Sequence, residues 1–376
     1  MNKSFHRLPQ LDVLRAAAIV MVLVAHYPKP SAGLVSRSLN FGWTGVDLFF
    51  VLSGYLIAGQ LFKPMSAGEP VGLMRFYLRR VLRTLPSYFV ALAGYYAFAA
   101  ITNARSPDWR FFVFVQNFGI PATFSPSWSL CVEEQFYLLF PVAVLVLYRP
   151  AIRRKSLALI PMFLMLEIAI RGGVWLVARP DLLAGRQALS AYLGAIYYPT
   201  YCRLDGIVFG VYLAAVQQFR PGSWRRLMAN GRTLGLAAIA MLGVAVVALW
   251  RHYSLAGATI GFTALNASFA LMLAWALSSE SALSRIRIPG AKSVAILSYS
   301  IYLTHTLALR ATVALARRVG FQMDSVTGYV IAAAVILVFA GPLYWCVERP
   351  ALQLRDRLRR VQASQPAPAE DLAAAA

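Results

Sequence analysis

The chain is short of charge, and shorter still of acid. Only 14% of its 376 residues are Asp, Glu, Lys or Arg, against 59% hydrophobic, and the mean hydropathy is +0.60. Soluble domains carry about a quarter charged residues, so this composition excludes a soluble globular protein and leaves a polytopic membrane protein. The three cysteines, Cys131, Cys202 and Cys346, form no CxxC and have no metal-ligand spacing, and no metal site is expected. No small-residue cleavage site follows the first apolar run, Leu11–Ala25, so it reads as a first span although Lys3, His6 and Arg7 precede it. No repeat of fixed period is present, which counts against the inverted repeats usual in transporters. Acidic residues number 15 against 36 basic ones, a net charge of +21. In a soluble protein that balance would point to nucleic acid. Here the basic bias of cytoplasmic loops accounts for it, and no nucleic-acid partner is expected.

Runs long enough to cross about 30 Å of hydrocarbon lie near 11–27, 45–62, 85–101, 132–148, 157–178, 201–217, 233–250, 258–277, 294–316 and 326–347. The expected fold is therefore all-α, a bundle of about ten transmembrane helices. With the N-terminus inside, the inner segments hold 23 Lys and Arg and the outer loops nine. That asymmetry predicts cytoplasmic termini and a bacterial inner membrane. A membrane domain is expected over 8–350, and a Pro/Ala-rich, disordered cytoplasmic tail over 351–376.

Ionisable groups inside spans are costly and point to function. In LRAAAIVMVLVAH, Arg15 and His26 are eleven residues and about 16 Å apart on one helical face. The orientation puts Arg15 near the inner side and His26 near the outer one. Asp47 of GWTGVDLFFVLSGYL, Trp128, Glu133 and Glu134 of PSWSLCVEEQFYLLFP, and Arg203 and Asp205 of YCRLDGIVFG also fall at the outer face. One outer pocket is expected to collect His26, Asp47, Glu133, Glu134, Arg203 and Asp205. Histidine suits proton abstraction near neutrality, and a carboxylate beside it would fix the tautomer. One of the two glutamates reads equally well as a partner of the helix dipole, and Arg203 with Asp205 as an ion pair joining two spans. Glu167 and Arg171, four apart, read as a structural pair. Tyr302 and His305 share a face around mid-depth. On the inner side, Arg79, Arg80 and Arg83 precede the third span; guanidinium forks suit phosphate oxygens, although the inner basic bias also explains them.

Together these residues resemble the acyltransferase-3 family of integral membrane acyltransferases, which includes O-antigen and exopolysaccharide O-acetylases. The resemblance rests on Arg15–His26, on FFVLSGYL at Phe49–Leu56, on Arg80–Arg83, on Trp128–Tyr137, and on SYSIYLTH ending at His305. It spans about residues 8–350. It implies transfer of an acyl group, usually acetyl, from cytoplasmic acyl-CoA to a hydroxyl of a lipid-linked or exported glycan. Acetyl-CoA is then a co-substrate, with no permanently bound cofactor. Arg15, Arg80 and Arg83 would hold the CoA phosphates, and the pantetheine arm would pass Ser53 and Gly54. His26 would act as base, oriented by Glu134 or Asp47. Arg203 and Asp205 would shape the acceptor side, Trp128 would stack on the sugar, and Tyr302 and His305 would support. Direct transfer is preferred to an acyl-enzyme on His26 or Ser53. Many relatives carry an extracytoplasmic SGNH hydrolase-like domain, and no counterpart is expected here. The alternative reading is a transporter or export factor that moves an acylated glycan without catalysis.

Overall fold

A backbone in hydrocarbon must satisfy its own hydrogen bonds, which turns long apolar runs into helices. The computed structural model describes residues 8–27, 39–121, 123–147, 156–251, 253–284 and 288–364, and among these there are helices and no strand. In chain order they are α1 (Pro9–His26), α2 (Gly45–Ser66), α3 (Leu73–Thr102), α4 (Ser127–Leu147), α5 (Ser156–Ala178), α6 (Gly185–Tyr192), α7 (Asp205–Phe219), α8 (Pro221–Ala229), α9 (Gly231–Leu249), α10 (Phe262–Leu277), α11 (Ala291–Val319), α12 (Val326–Leu343) and α13 (Arg349–Ser364).

All ten expected spans fall on helices. Eight are long and apolar enough to cross a membrane by length and composition. The other two, α7 and α11, differ for separate reasons. α7 has 15 residues, about 22 Å of rise. α11 is 29 residues long but buries Ser298, Ser300, Thr304, His305 and Thr306, and this polarity lowers its hydropathy. α3 begins at Leu73, well before the expected 85. Its arginines read as loop, yet the buried stripe of Phe76, Thr84, Ser87, Tyr88, Ala91, Leu92 and Tyr95 keeps helical period through them. Helix ends follow local chemistry. Gly290 and Gly320 flank α11 at φ +80° and +83°, a conformation glycine adopts without a Cβ penalty. Ser325 caps α12, its hydroxyl accepting from Gly328 N at 3.0 Å.

α1 packs on α11 and α2, α2 on α7, α7 on α10, α10 on α9, and α11 on α12. The α2–α7 contact is backbone to backbone. A Cβ at Gly54 would lie 2.0 Å from the Ile207 carbonyl oxygen, and one at Gly210 2.1 Å from that of Val51. Such small-residue seams let helices pack closely in lipid, where apolar burial gives no driving force. Outward faces carry Leu138, Leu139, Val142, Leu236, Ile239, Val330 and Val338, as a lipid-facing surface requires. Of the tail expected at 351–376, residues up to Ser364 form α13, where Ala351, Leu352, Arg355 and Leu358 share an inward face against α3. Residues 365–376, like Lys3, His6 and Arg7, lie outside the described residues.

Candidate active site

α1 runs the length of the bundle and presents Arg15, Ile19, Val22 and His26 along one stripe. His26 is its last residue, and its Nδ1 lies 2.9 Å from the Val22 carbonyl. A carbonyl only accepts, so Nδ1 carries the proton and the neutral ring keeps its lone pair on Nε2. His305, on α11, repeats the arrangement, with Nδ1 2.7 Å from the Tyr302 carbonyl. The two rings meet edge to face, centroids 4.9 Å apart and planes at 74°. His26 is exposed and His305 buried.

At the Arg15 end of α1 lies a cavity of about 460 Å³, lined among others by Arg15, Ser53, Arg80, Arg83, Glu133 and Tyr302. Ser53 hydrogen-bonds the Tyr137 hydroxyl. Glu133 lies against both of these and against Arg80. Glu134 lies against Thr84 and Arg80. Arg80 sits over the Tyr137 ring at 5.7 Å, reaches Gln60 at 3.5 Å and has a buried Nε with no partner. Arg83 differs. Its Nη1 donates to Glu348 Oε1 at 2.8 Å, while Ser300 donates to the other oxygen at 2.6 Å. Glu348 closes a π-helical turn, Tyr344–Glu348, between α12 and α13, and α13 adds Arg355 to the cavity. Tyr302 closes the deep end, its hydroxyl 2.5 Å from that of Ser129. A second cavity of about 720 Å³ shares Arg15, Leu56 and Gln60 with the first and adds Lys63, Arg75 and Arg79. Basic side chains thus cluster at this end.

At the His26 end lies a larger cavity, about 940 Å³, whose wall includes His26, Trp43, Tyr197, Trp250 and Tyr253. Behind the wall sits Arg203, 1% exposed, with Nη2 2.8 Å from Asp47 Oδ1. Its guanidinium lies 4.2 Å from the Phe262 ring centroid, 4.7 Å from Tyr197 and 5.4 Å from Trp128.

The single expected pocket is therefore divided. Asp47 pairs with Arg203, and Glu133 and Glu134 lie against Arg80, while the His26 Nδ1 meets the Val22 carbonyl. Glu133 stands five residues beyond Trp128, more than 7 Å further along the helix, and its side chain turns toward the arginines. Arg203 does not pair with Asp205. Asp205 pairs with Arg171 at 2.8 Å and accepts from Asn266 at 2.9 Å. The Glu167–Arg171 pair is the looser contact, at 4.0 Å, and Glu167 also accepts from Leu204 N. Gly54 lines neither cavity but packs on α7, whereas Ser53, 100° round the helix, faces the basic cavity. Trp128 is 5% exposed and packs at a tilt on Tyr197, centroids 4.8 Å apart and planes at 51°, so it supports the aromatic wall from behind instead of offering a face to a sugar.

Sequence reading also passed over residues that the structure brings in. Trp43, Trp250, Tyr197 and Tyr253 lie in loops and helix ends, where no spacing rule singles them out. Glu348 had a signal. It is an acid at the end of an apolar run, and the rule that picked out Asp47 applies to it equally.

The family model described as an acyltransferase domain, acyltransferase-3, matches residues 8–345. The chain is similar to the peptidoglycan O-acetyltransferase OatA of Listeria monocytogenes, 28% identical over 235 residues, covering 56% of this chain and 34% of the relative. It is similar also to the putative peptidoglycan O-acetyltransferase YrhL of Bacillus subtilis, 28% identical over 247 residues, 59% and 35% of the two chains. A putative O-acetyltransferase of Staphylococcus aureus matches at 27% over 230 residues, 56% and 35%. The chain spans about a third of the length of these relatives, and no solved structure matches it. With a family match across nearly all of its helices, this multi-pass membrane protein belongs to the acyltransferase-3 family.

Proposed function

We propose that the protein is a membrane O-acetyltransferase that moves an acetyl group from acetyl-CoA to a sugar hydroxyl across the bilayer. The observation that carries this reading is the pair of cavities at opposite ends of one bundle, one basic and one aromatic, with the His26–His305 pair between them. The phosphates of acetyl-CoA suit the guanidinium groups of Arg15, Arg80 and Arg355, with Arg83 held back by Glu348. The pantetheine arm then runs past Ser53 and Tyr137 toward Tyr302. The acceptor enters the aromatic cavity, where pyranose faces stack on rings such as Trp43 and Trp250. His26 Nε2 takes the proton of the attacking hydroxyl. Over the whole reaction the acetyl carbon exchanges its C–S bond for a bond to the sugar oxygen, and the CoA thiolate finally receives a proton. Asp47 and Arg203 hold the cavity wall, and Asp205 with Arg171 ties α7 to α5.

The bias of basic residues supports a donor in the cytoplasm of a bacterial cell, at its inner membrane, and an acceptor outside. The acceptor is a cell-surface or exported glycan. Peptidoglycan leads the candidates, because two of the relatives are named for it. The test is acetyl transfer by the purified protein in liposomes, from labelled acetyl-CoA to peptidoglycan fragments and other glycans, beside His26→Ala. The wild type labels a glycan, and His26→Ala is slower by about 10²–10⁴, the usual worth of a general base. Equal rates would remove His26 from the reaction.

A further inference from the structure

No described residue lines both the basic and the aromatic cavity, and a short row of side chains joins them. Tyr302 lines the basic cavity, and its carbonyl holds Nδ1 of His305. The His305 ring touches that of His26, which lines the aromatic cavity. His305 is 1% exposed, and its Nε2 is buried with no hydrogen-bond partner among the described residues. A buried acceptor left unsatisfied is costly, and each one in a native structure calls for an explanation, catalytic roles among them. With Nδ1–H on a backbone carbonyl, the free lone pair is on Nε2, the nucleophilic atom of a neutral imidazole. The nitrogen is thus held in its reactive tautomer, away from water, between the donor and acceptor chambers.

Resting on the donor and acceptor assignment above, we propose that His305 Nε2 carries the acetyl group between the two cavities. In the first half-reaction Nε2 attacks the thioester carbonyl, the N–C bond forms, the C–S bond breaks, and CoA leaves as the thiolate. His305 becomes an acyl-imidazolium, its Nδ1–H still donating to the Tyr302 carbonyl. In the second, the glycan hydroxyl attacks that carbonyl while His26 Nε2 takes its proton. The C–N bond breaks, the ester is released and His305 returns to the neutral ring. His26 then releases its proton to solvent on the acceptor side, and the thiolate takes one from solvent on the donor side. Direct transfer, expected from the sequence, needs thioester and hydroxyl in one chamber. The separation of the cavities favours two half-reactions instead.

The experiment is single-turnover labelling of the full-length protein with radioactive acetyl-CoA and no acceptor, followed by a rapid quench. Wild type and His26→Ala are expected to release CoA and take up label that hydroxylamine removes and that maps to the peptide containing His305. Added glycan discharges the wild type, whereas His26→Ala retains its label at least tenfold longer. His305→Asn is expected to take up none. Its amide can still donate to the Tyr302 carbonyl, and an unchanged melting temperature separates loss of the nucleophile from loss of fold. CoA release with no protein label, or label mapping elsewhere in the wild type, would overturn the relay while leaving acetyl-CoA as donor. No consumption of acetyl-CoA by the wild type would overturn the donor assignment and the relay with it.

Discussion

Asp47→Ala would strand the Arg203 guanidinium inside the bundle. Both side chains are 1% exposed, the bond between them is 2.8 Å, and Arg203 Nε and Nη1 have no hydrogen-bond partner among the described residues. Removing one member of a buried pair costs about 3–5 kcal/mol, because the remaining charge is left without compensation. The rings of Phe262, Tyr197 and Trp128 surround that charge, and such contacts are worth about 0.5–2 kcal/mol each. They are present before and after the change, so they cancel in the difference and do not reduce the loss. Removing both charges, as Asp47→Leu with Arg203→Met, should restore wild-type stability, or exceed it by about 1–4 kcal/mol where the new side chains pack well. The measurement is unfolding in mixed micelles by detergent titration, followed by tryptophan fluorescence. A single variant within about 1 kcal/mol of wild type, or a double variant as unstable as the single, would refute the reasoning. Because Arg203 lies against Tyr197 in the aromatic wall, the single variant should also raise the acceptor KM.

The adjacent residues Ser53 and Gly54 should separate cleanly. Gly54→Ala pushes a Cβ into the Ile207 carbonyl and should cost about 1–3 kcal/mol by overpacking with the KM for acetyl-CoA unchanged, while Ser53→Ala gives up the hydrogen bond to Tyr137, about 0.5–1.5 kcal/mol, and raises that KM. Arg80→Gln should raise that KM about tenfold or more, the worth of one charge-assisted hydrogen bond. Arg83→Gln should instead destabilise, since it leaves the Glu348 carboxylate unpaired; with Arg83 29% exposed, solvent screening reduces the loss to about 1–2 kcal/mol. Trp250→Ala should raise the acceptor KM about three- to tenfold, the worth of one ring contact, and leave acetyl-CoA turnover without acceptor unchanged.

Much of this architecture was legible because hydrocarbon leaves the backbone so few choices. Ten apolar runs became ten helices, and the eleven-residue interval of Arg15 and His26 put them on one stripe of α1. Azimuth was not legible. Asp47, Glu133 and Arg203 lie at similar expected depths, yet each helix turns 100° per residue, and one residue decides which neighbour a side chain meets. Ser53 and Gly54 show the scale of that problem: one faces a cavity and the other a helix backbone. Partners across the bundle were equally hidden. Arg171 was matched to Glu167 on its own helix, whereas its tighter bond goes to Asp205, 34 residues on. The start of α3 was lost for another reason, because a run of arginines looks like a loop unless the apolar stripe beneath it is followed. The wall of Trp43, Tyr197, Trp250 and Tyr253 comes from three separate stretches that only the fold brings together.

The central claim is that an acetyl group enters at the arginine end of the bundle and leaves at the His26 end. It is tested most directly in sealed liposomes holding the protein in one orientation, with labelled acetyl-CoA on one side and glycan acceptor on the other. Acetylated glycan should form with acetyl-CoA on the Arg80 side and glycan on the His26 side, and fall to background in His26→Ala. Product formed only when both substrates share a side would contradict the account.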